Sequence, residues 1–277
     1  MSAFNYDEIG YWSEVKLAII SKYASAYSAI MNKQHLIKKH IYIDAFAGAG
    51  RHLSKQTGEF VAGSPLNALA VVPPFKEFHL IDLHGGKVGE LRKLVGDRED
   101  VLVYEEDANK CLLEQVFPRC RYEDYSRALC LLDPYKLNVD WQILQTAGQM
   151  RSIEIFYNFM IMDANMNVFW RNPEQVTTSQ IKRMDNVWGD RSWREAAYRM
   201  TPTLFGDIEE KADNEAIAKA FRKRLEEVAG FKYVPDPIPM RNSKGAVVYH
   251  LFFASPNKNG AKIVKEIFDK YRNMGIR

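Results

Sequence analysis

Residues 40–50 read His40-Ile-Tyr-Ile-Asp44-Ala-Phe-Ala-Gly-Ala-Gly50, a β-branched and aromatic run that closes on a carboxylate and enters a loop of small residues. Such a run fits a pleated strand, and the two glycines permit a tight turn with close backbone approach. Three further runs end the same way: Phe78-His-Leu-Ile-Asp82, Val101-Leu-Val-Tyr-Glu105 and Ala128-Leu-Cys-Leu-Leu-Asp133. Ile153-Glu-Ile-Phe-Tyr-Asn158 makes a fifth strand. Between them lie helical patterns, notably Val88 to Val95 and Ala108 to Val116. Strands alternating with helices predict parallel βαβ units. Their nearly continuous apolar character predicts a sheet covered on both faces.

Upstream, Trp12, Val15, Ile19, Tyr23, Ala26 and Ile30 recur at helical steps, predicting an amphipathic helix over 11–32 that starts at Ser13. Gly63-Ser64-Pro65 predicts a further helix start, with Ser64 as N-cap and Pro65 at the first helical position. From about Asp163 to Gly230 the pattern turns helical and polar; Ala246 to Ala254 is again a strand, and Gly260 to Arg272 a closing helix. The expected organisation is an N-terminal helical segment (1–36), an α/β core (37–162 and 231–277) and a helical insertion (163–230).

Composition bounds the function. The chain has 277 residues, 47% hydrophobic and 26% charged, which excludes a disordered or disulfide-stapled chain. The longest apolar stretch, Ile153 to Met162, contains Glu154 and Asn158 and is too short to span a bilayer. No basic, apolar leader opens the sequence. Three cysteines, Cys111, Cys120 and Cys130, without CxxC spacing suit a reducing compartment, so a cytoplasmic protein with no membrane association is expected. The net charge of +3 does not by itself mark a polyanion binder; the basic runs Lys33 to His40 and Lys258 to Arg277 read as solvated surface. The histidines are scattered, with His79 and His250 on strands, so no metal site is expected.

In open parallel sheets ligands bind beyond the carboxyl ends of the strands. Here those ends carry Asp44, Asp82, Glu105-Glu106-Asp107 and Asp133, although Asp107 also suits a cap on the helix that begins at Ala108. A dinucleotide fingerprint wants a third small residue after Gly50, and that position is Leu53; no GxxxxGK[ST] loop is present either. A ligand with ribose and no pyrophosphate is therefore expected. Recurring acids match the hydroxyls, amines and positive charge of S-adenosylmethionine.

The fourth strand carries Asp133-Pro134-Tyr135. Methyl transfer to an exocyclic amine of a base requires localising a lone pair delocalised into the ring. The Asp133 carboxylate and the Pro134 carbonyl could each accept one N–H, because proline has no N–H of its own and holds the preceding residue extended. Tyr135 would stack on the base. A metal-dependent nuclease built on the strand-end acids would leave the glycine loop and this tripeptide without a role.

Asp44-Ala-Phe46-Ala-Gly48-Ala-Gly50 with Asp133-Pro134-Tyr135 resembles class I methyltransferases, specifically amino-methyltransferases with a Phe-x-Gly-x-Gly loop and an Asp-Pro-Pro-Tyr motif. The chain as a whole resembles the three-Cys-motif partner protein family (TcmP). The matching segments are Tyr42 to Gly50, Gly63 to Ala68, Leu132 to Tyr135, Asn165 to Val168, Trp188-Gly189, Ser192 to Arg194 and Tyr249 to Ala254. The resemblance implies a Rossmann-like class I methyltransferase fold. It implies S-adenosylmethionine bound by Asp44, Phe46, Ala47, Gly48, Gly50, Asp82, Asp107 and Asn109, and catalysis by Asp133, Pro134 and Tyr135. It also implies a partner, a radical-SAM-type protein bearing a three-cysteine motif. Two readings follow: a methyltransferase acting on a nucleobase or nucleic acid, or a non-catalytic protein that docks on that partner. The motif departs from the pattern by lacking the second proline and by placing Lys136 after Tyr135. In the first reading Trp170, Arg171, Trp188, Trp193 and Arg194 of the insertion are expected to touch the target.

Overall fold

The computed structural model describes residues 4–203 and 206–274. Its main sheet has seven strands: β1 (Lys39–Asp44), β2 (Glu77–Asp82), β3 (Val101–Glu105), β4 (Ser126–Leu132), β5 (Ile153–Phe159), β6 (Ile238–Arg241) and β7 (Val247–Ala254). Their order across the sheet is β3-β2-β1-β4-β5-β7-β6. The first five are parallel; β7 runs antiparallel to β5, and β6 antiparallel to β7. This is a Rossmann-like open sheet. Its order reverses between β1 and β4, the switch point outside which such sheets hold ligands.

The helices are α1 (Tyr11–Asn32), α2 (Ser64–Leu69), α3 (Gly85–Val95), α4 (Ala108–Cys111), α5 (Trp141–Met150), α6 (Ile161–Asn167), α7 (Thr178–Trp188), α8 (Trp193–Ala197), α9 (Asn214–Glu227) and α10 (Lys258–Met274). The two-residue alternation of each strand divides the core. Ile41 and Ile43 of β1, Ala128, Cys130 and Leu132 of β4, and Ile155 and Tyr157 of β5 face α5, α7 and α9. Tyr42, Leu129, Leu131 and Phe156 face the opposite layer, where α1, α3 and α10 pack. α1 buries Val15, Ile19, Ile20, Tyr23, Ala24 and Tyr27 there. The three cysteines are free and buried.

Several expectations shift. α1 spans the expected 11–32, but its cap is Gly10 rather than Ser13, because Ser13 and Glu14 donate their backbone N–H to the Gly10 carbonyl. At α2 the cap is Gly63, which places Ser64 within the first turn together with Pro65. The stretch 163–230 is not wholly helical. Tyr198–Thr203 pairs antiparallel with Gly206–Lys211, a polar ribbon whose side chains give little apolar alternation. Between β1 and α2, Arg51–Ser54 pairs with Phe60–Ala62 and with the two-residue strand Glu8–Ile9, so the N-terminal segment crosses the mouth of the sheet.

Candidate functional site

The loop after β1 is pinned to the end of β2. Gly48 N–H donates to Asp82 Oδ2 at 2.9 Å and His84 N–H to Asp82 Oδ1 at 2.8 Å. Gly48 and Gly50 have φ of +63° and +79°, the left-handed region in which a side chain is strained. Gly63 packs so closely that a Cβ there would lie 2.9 Å from the Gly50 carbonyl oxygen. Asp44, at the tip of β1, is fully buried. Phe46 N–H donates to its Oδ1 at 3.3 Å, while Oδ2 has no hydrogen-bond partner among the described residues. Burial pushes its pKa up to about 7.

Asp133 lies just past β4, two positions beyond Leu131, which pairs with Asp44 across the sheet. It is not a free acceptor. Lys16 of α1 donates an ammonium hydrogen bond to Oδ2, and Asn158 of β5 donates through its side-chain amide to Oδ1. Lys16 is a buried lysine whose pKa is nonetheless raised: burial lowers it most, but the charge of Asp133, its hydrogen bond and the nearby Tyr249 and Asp44 together outweigh that. Pro134 is buried and Tyr135 is 64% exposed. The Tyr135 hydroxyl donates to Asp7 Oδ2 at 2.8 Å, and Lys87 donates to that hydroxyl at 3.3 Å. Lys87 also pairs with Asp7 at 2.6 Å and sits 5.1 Å from the Tyr135 ring centroid. Tyr135 is thus held by the N-terminal segment and α3.

These groups surround a cavity of about 200 Å³. Phe46, Ala47 and Gly48 form one wall and Asp133, Pro134 and Tyr135 another; Lys16, Ser13, His52, Met160 and Tyr249 are among the rest of the lining. The cavity is smaller than the roughly 300–1,000 Å³ of pockets that enclose drug-sized ligands. It suits one planar ring or one amino-acid arm.

Six of the sequence-predicted residues therefore line one cavity. The other five do not line it. Asp44 lies beneath the β1 loop, and Gly50 backs onto Leu91 and Leu94 of α3. Asp82 binds the loop backbone. Asp107 caps α4, accepting from Lys110 N–H at 3.1 Å. Asn109 bridges to the segment after β4, donating to the Asn138 carbonyl and accepting from Asp140 N–H. Sequence reasoning missed Lys16, Asn158, Asp7 and Lys87, none of which belongs to a local motif. The expectation for the insertion aromatics is corrected in part. Trp188 and Trp193 are buried, with their indole N–H groups on Ser192 and Asp185; Trp170 is 38% exposed. Arg194 pairs with Glu209.

S-adenosylmethionine is the cofactor expected from the sequence motifs, and the donor set fits it. The unpartnered Oδ2 of Asp44 is a buried acceptor at the switch point, as a ligand bearing N–H or positive charge requires. Asp82 keeps a second lone pair on each oxygen beyond its two backbone bonds, enough for ribose hydroxyls. Among the described residues no cluster of three or more His, Cys, Asp or Glu could hold a metal ion, and no helix is long and apolar enough to cross a membrane.

No protein-family model matches the chain, and no curated protein does. The chain is similar to several solved structures. LPL1258 of Legionella pneumophila, described by the family model DUF519, aligns over 95% of this chain and 92% of its own, with a TM-score of 0.57 at 11% identity. A SAM-dependent methyltransferase of the DUF858 family from Leishmania major aligns over 86% of this chain and 72% of its own, at a TM-score of 0.40 and 8% identity. The CurJ carbon methyltransferase covers 88% of this chain with 55% of its own length, at a TM-score of 0.44 and 12% identity.

Proposed function

We propose that the protein is an S-adenosylmethionine-dependent methyltransferase acting on an exocyclic amine of a nucleobase, and that it is kin to the TcmP family through the motifs running from Tyr42 to Ala254. The observation that supports this is the meeting of the Phe46–Gly48 loop and Asp133-Pro134-Tyr135 across one ring-sized cavity. S-adenosylmethionine, when bound, supplies an electrophilic methyl group on a sulfonium. Asp44, Asp82 and the backbone of the glycine loop hold it.

The chain's own residues prepare the amine. Lys16 gives the Asp133 carboxylate a fixed counter-charge, and Asn158 sets its plane. A carboxylate has about four acceptor positions. With two occupied, Asp133 still accepts one amine N–H, and the Pro134 carbonyl accepts the other. Acceptors fixed in advance where positive charge grows stabilise that charge without reorganising. Tyr135 covers the ring once its hydroxyl leaves Asp7.

Calorimetry with S-adenosylmethionine tests the cofactor. Transfer of labelled methyl to adenosine, cytidine and guanosine, and to oligonucleotides containing them, tests the acceptor. Wild-type protein binds the cofactor and labels an amine; Asp133→Ala binds it equally and labels nothing. Full activity of Asp133→Ala overturns the mechanism. Absence of cofactor binding overturns the enzymatic reading and leaves the docking role on a radical-SAM-type partner.

A further inference from the structure

A second, larger hollow opens beside the ring-sized cavity. It measures about 900 Å³ and shares Ser13 and Tyr249 with its smaller neighbour, so the two are contiguous. Its lining is asymmetric in charge. Lys55 and Arg241 contribute cations, and among the described residues no carboxylate lines it. Lys244, exposed between two lining residues, adds a third positive charge at the rim. Lys55 makes no side-chain hydrogen bond or ion pair among the described residues, and Arg241 donates only to the Gly245 carbonyl of its own turn, at 2.8 Å. Their charges are therefore uncommitted within the protein. At the first turn of α1 the wall is aromatic: Tyr11, 46% exposed, stands edge-to-face with Trp12 at 5.7 Å.

Resting on the reading that the small cavity takes a base, we infer that this cleft binds the single-stranded nucleic acid that carries it. Its cations hold flanking phosphates, and Tyr11 stacks a neighbouring base. Uncommitted cations beside an exposed aromatic match a chain that alternates phosphates with π faces. A free nucleoside or base would leave the cleft unused. The site is built from the α1 start, the loop after Ser54 and the β6–β7 turn, elements far apart in sequence that the fold brings to one mouth.

The test is fluorescence anisotropy of a labelled, mixed-sequence single-stranded oligonucleotide, as RNA and as DNA, over a range of salt. The wild type binds at least one of the two, and that arm identifies the sugar. In Lys55→Gln/Arg241→Gln the affinity falls, and the slope of log affinity against log salt shrinks by about 1.4, as expected for two lost single-strand phosphate contacts. Tyr11→Ala weakens binding by roughly tenfold, the scale of one lost stack. Lys55→Gln alone, at an exposed and unpartnered position, separates charge from any change in the Arg241 turn. Calorimetry with S-adenosylmethionine on the same variants gives wild-type affinity.

Unchanged oligonucleotide affinity in the variants overturns the inference, as does heparin competing as well as the oligonucleotide. Methylation of a free nucleoside as efficient as that of the strand also overturns it. If S-adenosylmethionine fails to bind while the strand binds, the methyltransferase reading falls and the cleft stands.

Discussion

Lys16 of α1, itself buried, forms an ion pair with the part-buried Asp133 at the mouth of the sheet, 117 residues away in sequence. The pair joins the N-terminal helix to the tip of β4 and gives the proposed catalytic carboxylate a fixed counter-charge. Its geometry is completed by Asn158 on the neighbouring strand.

Removing one partner leaves the other charge desolvated. Lys16→Met is expected to cost about 1–2 kcal/mol of folding stability, less than a fully buried pair because Asp133 keeps some contact with water. Adding Asp133→Asn to Lys16→Met restores part of that loss. Urea unfolding with an unchanged m-value measures both. Equal midpoints for wild type and Lys16→Met contradict the burial argument.

Glu154 predicts a pH dependence. It is buried on β5, where the Tyr23 and Ser255 hydroxyls donate to it, and burial pushes its pKa up to about 7. The folded protein keeps this proton to about pH 7, whereas the unfolded chain releases it near the ordinary value of 4.5. Between those values the folded state binds more protons, so this group's contribution to stability falls as pH rises. Relative to Glu154→Gln, the wild type should lose about 3 kcal/mol from pH 4 to pH 7. Parallel stability–pH curves for the two proteins exclude the assignment.

The glycine loop predicts graded costs. At Gly48 a Cβ meets nothing within 4 Å, so Gly48→Ala carries only the backbone penalty of its positive φ, about 1 kcal/mol. Gly63→Ala places a Cβ against the backbone of Gly50 and should cost more, because no side-chain rotation relieves it. Thermal unfolding of the two variants ranks them, and the reverse order refutes the packing argument.

Asp7 latches Tyr135 and Lys87 to the N-terminal segment. Asp7→Ala is expected to loosen that segment while sparing the sheet. Limited proteolysis should cut the variant severalfold faster around residues 4–10, with global stability lowered by no more than about 1 kcal/mol, as for an exposed pair. Identical cleavage rates count against the latch.

Six strands of the main sheet were legible as apolar runs. β6 was not, because Pro237 and Pro239 interrupt it; the strand survives at the edge of the sheet, paired only with β7, where a missing N–H leaves no ladder bond unmade. The glycine loop and Asp133-Pro134-Tyr135 were legible because each is a local chemical pattern. Lys16 was not. In an amphipathic helix a lysine reads as a solvated position, and only the docking of α1 against the sheet shows it buried. Trp188 and Trp193, among charged residues, suited either target contact or the insertion's own core; they pack inward and satisfy their indoles within the insertion.

The sequence by itself determined the alternation of strands and helices, the small-residue turn after β1 and the acids at the strand tips, because periodicity and turn chemistry act over a few neighbouring residues. Tertiary structure alone decided which of those acids are committed. Asp82 is bound to the loop backbone, Asp107 caps a helix, Asp133 is paired with Lys16, and Asp44 keeps an oxygen without a partner. A carboxylate's role depends on the donors that reach it and the water taken from it, and both are set by elements distant in the chain.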